Sequence, residues 1–313
     1  MRYRPGLLFG VLFALLGARP AQAGEALVVN SAEATLSVVD MQTERELRRI
    51  PVLREPHHVV LTPDGHALLV GDTVGNALFE LDAASFAVRR RIPISDPYQL
   101  GFSPDGKLLT VNGLARNQVD VYDAATFKLV KRFPLASMPS HLTYAPDSSM
   151  VYVSLQGTGR LAAIDLRRLE VLWDKPVGPT PAGVLWLNGK VLVAIMGSDH
   201  VAVVDPVDGH VESTVRTASG AHQLFLAPDG KVLWVNNRVA GSTTAVDAAT
   251  LQPRRTYELP GGPDDICFAP NGDLWITRRF AGSVAVLDPA SGEYTSIPVG
   301  RSPHGLFLNT ILH

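Results

Sequence analysis

Seven positions spaced 40 to 42 residues apart carry His57, Tyr98, Ser140, Ala182, His222, Asp264 and His304. Each follows a proline or alanine that opens an apolar stretch, and four of the seven carry a group able to bind a metal or move a proton. Imidazoles ligate Zn, Cu or Ni more readily than Mg, so His57, His222 and His304 form a candidate metal set. Arginines stand near the same phase of the repeat, at Arg116, Arg160, Arg238, Arg278 and Arg279, with His200 among them. Guanidinium forks recognise carboxylate and phosphate, so the natural guest of such a constellation is an anion. The candidate ligand-binding residues are therefore His57, His222, His304, Asp264, Arg238, Arg278, Tyr98 and His141.

Other residues that look chemical have plainer explanations. Asp40, Asp82, Asp123, Asp165, Asp205, Asp247 and Asp288, with Asp64, Asp105, Asp147 and Asp229, recur at turn positions, where a carboxylate holds the backbone. Gly157-Thr158-Gly159-Arg160-Leu161-Ala162 mimics a dinucleotide fingerprint but joins two strands, with no helix to receive a pyrophosphate. No HExxH, paired CxxC or GxSxG signature is present. Ser140 stands next to His141, yet side chains alternate along a strand, so the pair is expected on opposite faces. The lone Cys267 lies between Ile266 and Phe268 and reads as a buried, inert thiol. With no partnered nucleophile, binding is expected rather than turnover, with a lyase or lactonase as the alternative.

The elements that must position these residues emerge from the repeat. In Pro97–Leu135, alternation and turn signals predict strands at Gln99–Ser103, Leu108–Asn112, Gln118–Tyr122 and Leu129–Pro134, with Pro104-Asp105-Gly106 turning the first hairpin. The seven aspartates from Asp40 to Asp288 are spaced 42, 41, 42, 40, 42 and 41 residues, the length of a four-stranded propeller blade. First strands begin at Pro56, Pro97, Pro139, Pro181, Ala221, Pro263 and Pro303. The N-terminal piece lacks a first strand and the C-terminal piece supplies one. The fold expected is thus all-β, a seven-bladed β-propeller of four-stranded antiparallel blades, closed by three N-terminal strands plus the C-terminal strand. First strands lie innermost, so the seven phased positions ring one mouth of the channel. Pairing residues fourteen positions apart sets Arg278 beside Asp264, Asn236 beside His222 and Asn112 beside Tyr98.

Leu108–Asp123, and poorer copies such as Met150–Asp165, resemble the YVTN-type repeats of bacterial periplasmic seven-bladed propellers, over nearly all of residues 24–313. More loosely the chain resembles methylamine dehydrogenase heavy chains, nitrite reductase haem domains and virginiamycin B lyase. The lyase resemblance, carried by Pro303-His304-Gly305 and the Pro270–Thr277 segment, implies a histidine base working with Mg²⁺ held by glutamates. Here Asn236 and Arg278 stand at the matching places after the tryptophans, and an arginine there repels Mg²⁺. The haem-domain resemblance implies a carboxylate-rich tetrapyrrole held by a histidine and basic side chains. Without a CxxCH motif, covalent c-type haem is excluded.

Met1–Ala23 combines Arg2 and Arg4, an apolar run from Leu7 to Leu16 and Ala21-Gln22-Ala23, the pattern of a cleavable secretory signal. Export to the periplasm is expected, leaving residues 24–313 as a single domain without a membrane span. Cleavage would take 28 basic residues to 25 against 30 acidic ones, a net charge near −5. That balance disfavours nucleic acid and points to an anionic small molecule or a periplasmic partner protein, met at a local cationic face by a monomer.

Overall fold

The computed structural model describes residues 24–310, where every regular element is a β-strand. The expected leader Met1–Ala23 and the last residues, 311–313, lie outside the described residues. The strands form seven four-stranded antiparallel sheets. Blade 1 runs from Pro56 to Pro93, blade 2 from Gln99 to Pro134, blade 3 from Pro139 to Pro176 and blade 4 from Pro181 to Arg216. Blade 5 covers Ala221 to Glu258 and blade 6 Pro263 to Pro298. Blade 7 joins the C-terminal strand Pro303–Asn309 to Glu25–Asn30, Thr35–Asp40 and Arg45–Pro51.

The ring closes as expected, with Ala26 opposite Leu308 and Val28 opposite Leu306. In blade 2 the strands are Gln99–Phe102, Leu108–Gly113, Gln118–Asp123 and Leu129–Pro134, each boundary within a residue of expectation. Its first strand starts at Gln99 rather than Pro97. Asp96 adopts φ 48°, and the Tyr98 N–H donates to the Asp96 carbonyl at 2.9 Å, so the chain is still turning there.

Burial falls outward through each blade. The second strand of blade 1, Ala67–Asp72, is buried throughout, whereas its outermost strand, Val88–Pro93, buries only Ile92. The core is a ring of layers between neighbouring blades: Val119, Val121 and Phe133 of blade 2 pack against Val151, Val153 and Ile164 of blade 3. Trp234 and Trp275, at equivalent places in their second strands, belong to such layers. The turn aspartates act structurally. Asp82 Oδ1 accepts the N–H groups of Ala84 and Ser85 at 3.0 and 2.8 Å, and Asp247 Oδ1 those of Ala249 and Thr250 at 2.9 and 2.7 Å. The Cys267 thiol donates to the Leu306 carbonyl at 3.2 Å, and burial pushes its pKa well up, consistent with an inert group.

Candidate functional site at the channel mouth

A local irregularity repeated around the ring builds the site. The first strand of blade 1 pairs Pro56 with Asp72 and Val59 with Val70, so His57 and His58 together face the single residue Gly71. The same bulge sets Ser140 and His141 against Ser154, Ala182 and Gly183 against Ala194, and Asp264 and Asp265 against Thr277. His304 and Gly305 face Val29 in the same way, and His222 is the extra residue of blade 5. A bulge leaves one residue without a ladder partner and re-aims its side chain, which breaks strict alternation at the phased positions. Ser140 and His141 therefore meet, with His141 Nδ1 3.1 Å from Ser140 Oγ, correcting the expectation that they diverge. Glycine permits the tight approach of adjacent blades: a Cβ on Gly305 would lie 2.8 Å from the His57 carbonyl, and one on Gly183 2.7 Å from that of His222.

Five of the nine histidines converge in the axial channel. Ring centroids are 4.9 Å apart for His57 and His304, 4.4 Å for His58 and His304, 5.5 Å for His58 and His141, and 5.4 Å for His141 and His222. Tyr98 closes the group, 4.7 Å from the His57 ring and 5.7 Å from that of His58. All five imidazoles are buried. Asp264, exposed by only 1%, is the anionic centre: Arg238 Nη2 donates to its Oδ1 at 2.6 Å, His222 Nδ1 lies 3.1 Å from the same oxygen, and Arg279 Nη1 reaches Oδ2 at 3.5 Å.

Arg278 is not part of this centre, which corrects its expected pairing with Asp264. The bulge places Arg278 opposite Pro263 instead. Its guanidinium turns into blade 6, donating to Ser283 Oγ at 2.8 Å, to the Pro260 carbonyl at 3.3 Å and to Ser296 Oγ, and lying over the Tyr294 ring. Arg279, one residue on, takes the place beside the carboxylate. The same slippage sets Asn236 opposite Gln223 and Asn112 opposite Gln99 rather than His222 and Tyr98. Arg160 is held by Asp174 at 2.6 Å and His200 by Ser198 at 3.0 Å, so neither joins the centre.

Above the histidines a funnel of about 570 Å³ is lined by His57, Tyr98, Arg116, Arg238 and Arg279, with Met196 and Glu55 among the remainder. Glu55 was not singled out by the sequence reading, although its position directly before Pro56 repeats that of Asp96 before Pro97. It accepts a hydrogen bond from His57 Nε2 at 3.0 Å. Arg116 stands at the rim, its backbone N–H donating to Asp96 Oδ2 at 2.9 Å.

Burial sets the protonation of the channel. It pushes His58 down to about 3, assisted electrostatically by neighbouring His57, and His222 down to about 4, assisted by Arg238. Burial likewise holds His141 and His304 well below the usual imidazole value. Asp264 goes the other way: burial alone would raise it, but His304, Arg238 and His222 hold its carboxyl well below the carboxylate range. With the imidazoles neutral, Arg238 is the permanent charge among those three. Asp265 is pushed up to about 8 by burial and by the adjacent Asp264.

Each of the five channel imidazoles has at least one buried ring nitrogen without a hydrogen bond. Buried ring nitrogens without a hydrogen bond are His57 Nδ1, His58 Nε2, His141 Nε2, His222 Nε2 and both nitrogens of His304. In their present rotamers His57, His222 and His304 do not form a tight metal cage. Among the described residues, three ligand atoms lie within 4.8 Å of one another only at Asp205, Asp208 and His210 on the surface.

A closed seven-blade ring with a polar axial funnel defines a β-propeller built around a central site. The chain belongs to the YNCE-like beta-propeller family, whose description matches residues 13–312. No curated protein matches the sequence. Among solved structures, a functionally unknown protein from Desulfotomaculum acetoxidans is similar at TM-score 0.79 and 12% identity, over 91% of this chain and 99% of that one. Dihydro-heme d1 dehydrogenase NirN in complex with DHE is similar at TM-score 0.68 and 16% identity, over 94% and 78% of the two chains. Virginiamycin B lyase from Staphylococcus aureus follows at TM-score 0.67 and 14% identity, over 80% and 87%. At these identities the likeness is one of fold.

Proposed function

We propose that the protein is an exported binding propeller that captures a carboxylate- or phosphate-bearing small molecule in the funnel. The observation that carries this reading is the convergence of two guanidinium groups, Arg238 and Arg279, on the single buried carboxylate of Asp264. Each arginine also lines the open funnel, where Glu55 and Asp96 are the carboxylates beside them. Arg116 adds a third guanidinium at the rim. Asp264 pins Arg238 in place, so an anion entering the funnel meets a donor that is already ordered.

A second reading, turnover by a lyase or lactonase, is favoured by the His222–Asp264 pair. The carboxylate at 3.1 Å from Nδ1, with Arg238 Nη2 at 3.3 Å from the same nitrogen, orients the ring and leaves Nε2 without a hydrogen bond, as a general base in its carboxylate-bound Nδ1–H tautomer requires. The two readings separate in one experiment. Citrate, glucose 6-phosphate and inorganic phosphate are titrated by calorimetry into the wild type and into the Arg238→Ala/Arg279→Ala variant, alongside turnover assays with a lactone and a streptogramin. Binding of an anion by the wild type, weakened about tenfold or more in the variant, supports capture. Turnover abolished by His222→Ala favours the enzyme, and the absence of anion binding overturns the capture reading. Export is tested by the mass of the protein recovered from cells, with cleavage after Ala23 as the expected result.

A further inference from the structure

We propose that His57, His58 and His304 form a three-histidine site for a divalent transition metal of the zinc, copper and nickel class, at the inner end of the funnel. This goes beyond anion capture and does not depend on it, because it uses imidazoles that the guanidinium groups do not touch. It also differs from the set predicted by sequence, exchanging His222 for His58.

Mutual spacing selects this trio. Two imidazoles sharing one metal at about 2.0–2.1 Å place their ring centroids on the order of 4.5–6.3 Å apart, depending on the ligand–metal–ligand angle. His57 and His304 stand at 4.9 Å, inside that range, with His58 and His304 at 4.4 Å and His57 and His58 at 6.4 Å, each about 0.1 Å beyond one end of it. His222, by contrast, is committed to Asp264 through Nδ1.

Hydrogen bonding supports the same choice. Glu55 accepts the Nε2–H of His57, leaving Nδ1 buried without a hydrogen bond, and a carboxylate behind a histidine is the usual outer partner of a metal ligand. His58 Nε2 and both nitrogens of His304 are buried and unbonded. The ring nitrogens do not yet meet, so the site requires rotation of His58 and His304 about Cβ–Cγ, a broad torsion for imidazole that no hydrogen bond at those atoms opposes. Asp264 Oδ2, 3.9 Å from His304 Nε2, supplies a nearby negative charge. The metal reaches the site through the funnel, which His57 lines. Six buried ring nitrogens have no protein partner, and coordination satisfies three of them.

The test is calorimetric titration of ZnCl₂ and CuCl₂ into full-length protein stripped with a chelator, followed by Co²⁺ absorption spectra to report ligand geometry. Variants are His58→Gln, His304→Gln and His210→Ala, the last removing the surface group of Asp205, Asp208 and His210. The expected result is one bound metal in the wild type and in His210→Ala, with affinity reduced about tenfold or more in His58→Gln and in His304→Gln. Circular dichroism checks that each variant is folded; if His304→Gln is not, His57→Gln takes its place. Metal binding lost only in His210→Ala, unchanged in the channel variants, or absent from the wild type overturns the proposal.

Discussion

Blade 4 and the arc from blade 5 to blade 1 share one backbone design and differ in what they present to the channel. In blade 4 the bulge offers Ala182 and Gly183, whereas the arc offers His222, Asp264, Asp265, His304, His57 and His58 at equivalent places. Since the bulge occurs in both, it belongs to the scaffold, and a methyl group and a hydrogen satisfy it. The imidazoles and carboxylates of the arc are thus an addition to the fold, placed where burial raises their energetic stakes.

The largest expected contrast comes from removing the charge at the centre of the arc. Asp264→Ala leaves Arg238 partly buried without its counter-charge and is expected to destabilise the fold by about 3–5 kcal/mol. Ala182→Ser, which puts a small hydroxyl at the same place in blade 4, is expected to cost about 1–2 kcal/mol. Chemical denaturation of both variants checks the pair, and equal losses would erase the distinction between arc and scaffold.

Next in size is the dependence on pH. His58, His141, His222 and His304 are harder to protonate in the folded chain than in the unfolded one. The unfolded state therefore binds protons first, and stability present above about pH 6.5 is lost as pH falls towards 4, the value for folded His222. Asp265 acts oppositely: its carboxyl is raised to about 8, so its contribution is complete below the ordinary carboxylate value and fades as pH rises through 8. Four imidazoles outweigh one carboxyl, so the melting temperature should peak near pH ~6.5 and fall more steeply on the acid side. A flat profile between pH 4 and pH 8 would contradict the neutral channel.

A smaller contrast separates neighbouring arginines. Arg278→Met removes donors to Ser283, Ser296 and the Pro260 carbonyl inside blade 6 and should cost about 1–3 kcal/mol while sparing anion binding. Arg279→Met should change stability by about 1 kcal/mol or less and weaken anion binding. Smallest of all, Arg116→Ala at the rim is expected to shift stability by no more than about 0.5 kcal/mol. Thermal melts and anion titrations of the three variants rank them.

What sequence could and could not reveal follows from the same comparison. Aspartates at fixed spacing and prolines opening the first strands marked the blades, because turns and strand starts have their own residue chemistry. The phased positions located His57, His222, Asp264 and His304 at one mouth. The bulge was hidden, since no residue type demands it: Ser140-His141, Ala182-Gly183 and Asp264-Asp265 all occupy it. A displacement of one residue then exchanged Arg279 for Arg278 and brought His58 and His141 fully into the cluster. Glu55 escaped notice because its contact with His57 depends on that turn of the chain rather than on spacing.

Site-resolved titration of the imidazoles tests the central claim most directly, that the repeated bulge buries a cluster of neutral histidines beneath the arginine funnel. Two-dimensional NMR of protein labelled with ¹⁵N-histidine follows each ring between pH 5.5 and pH 8. The account predicts that His58, His141, His222 and His304 remain neutral across this range, while surface His210, raised above the ordinary imidazole value by its hydrogen bond to Asp208, protonates within it. Ordinary titration of the four channel histidines near pH 6.5 would contradict it.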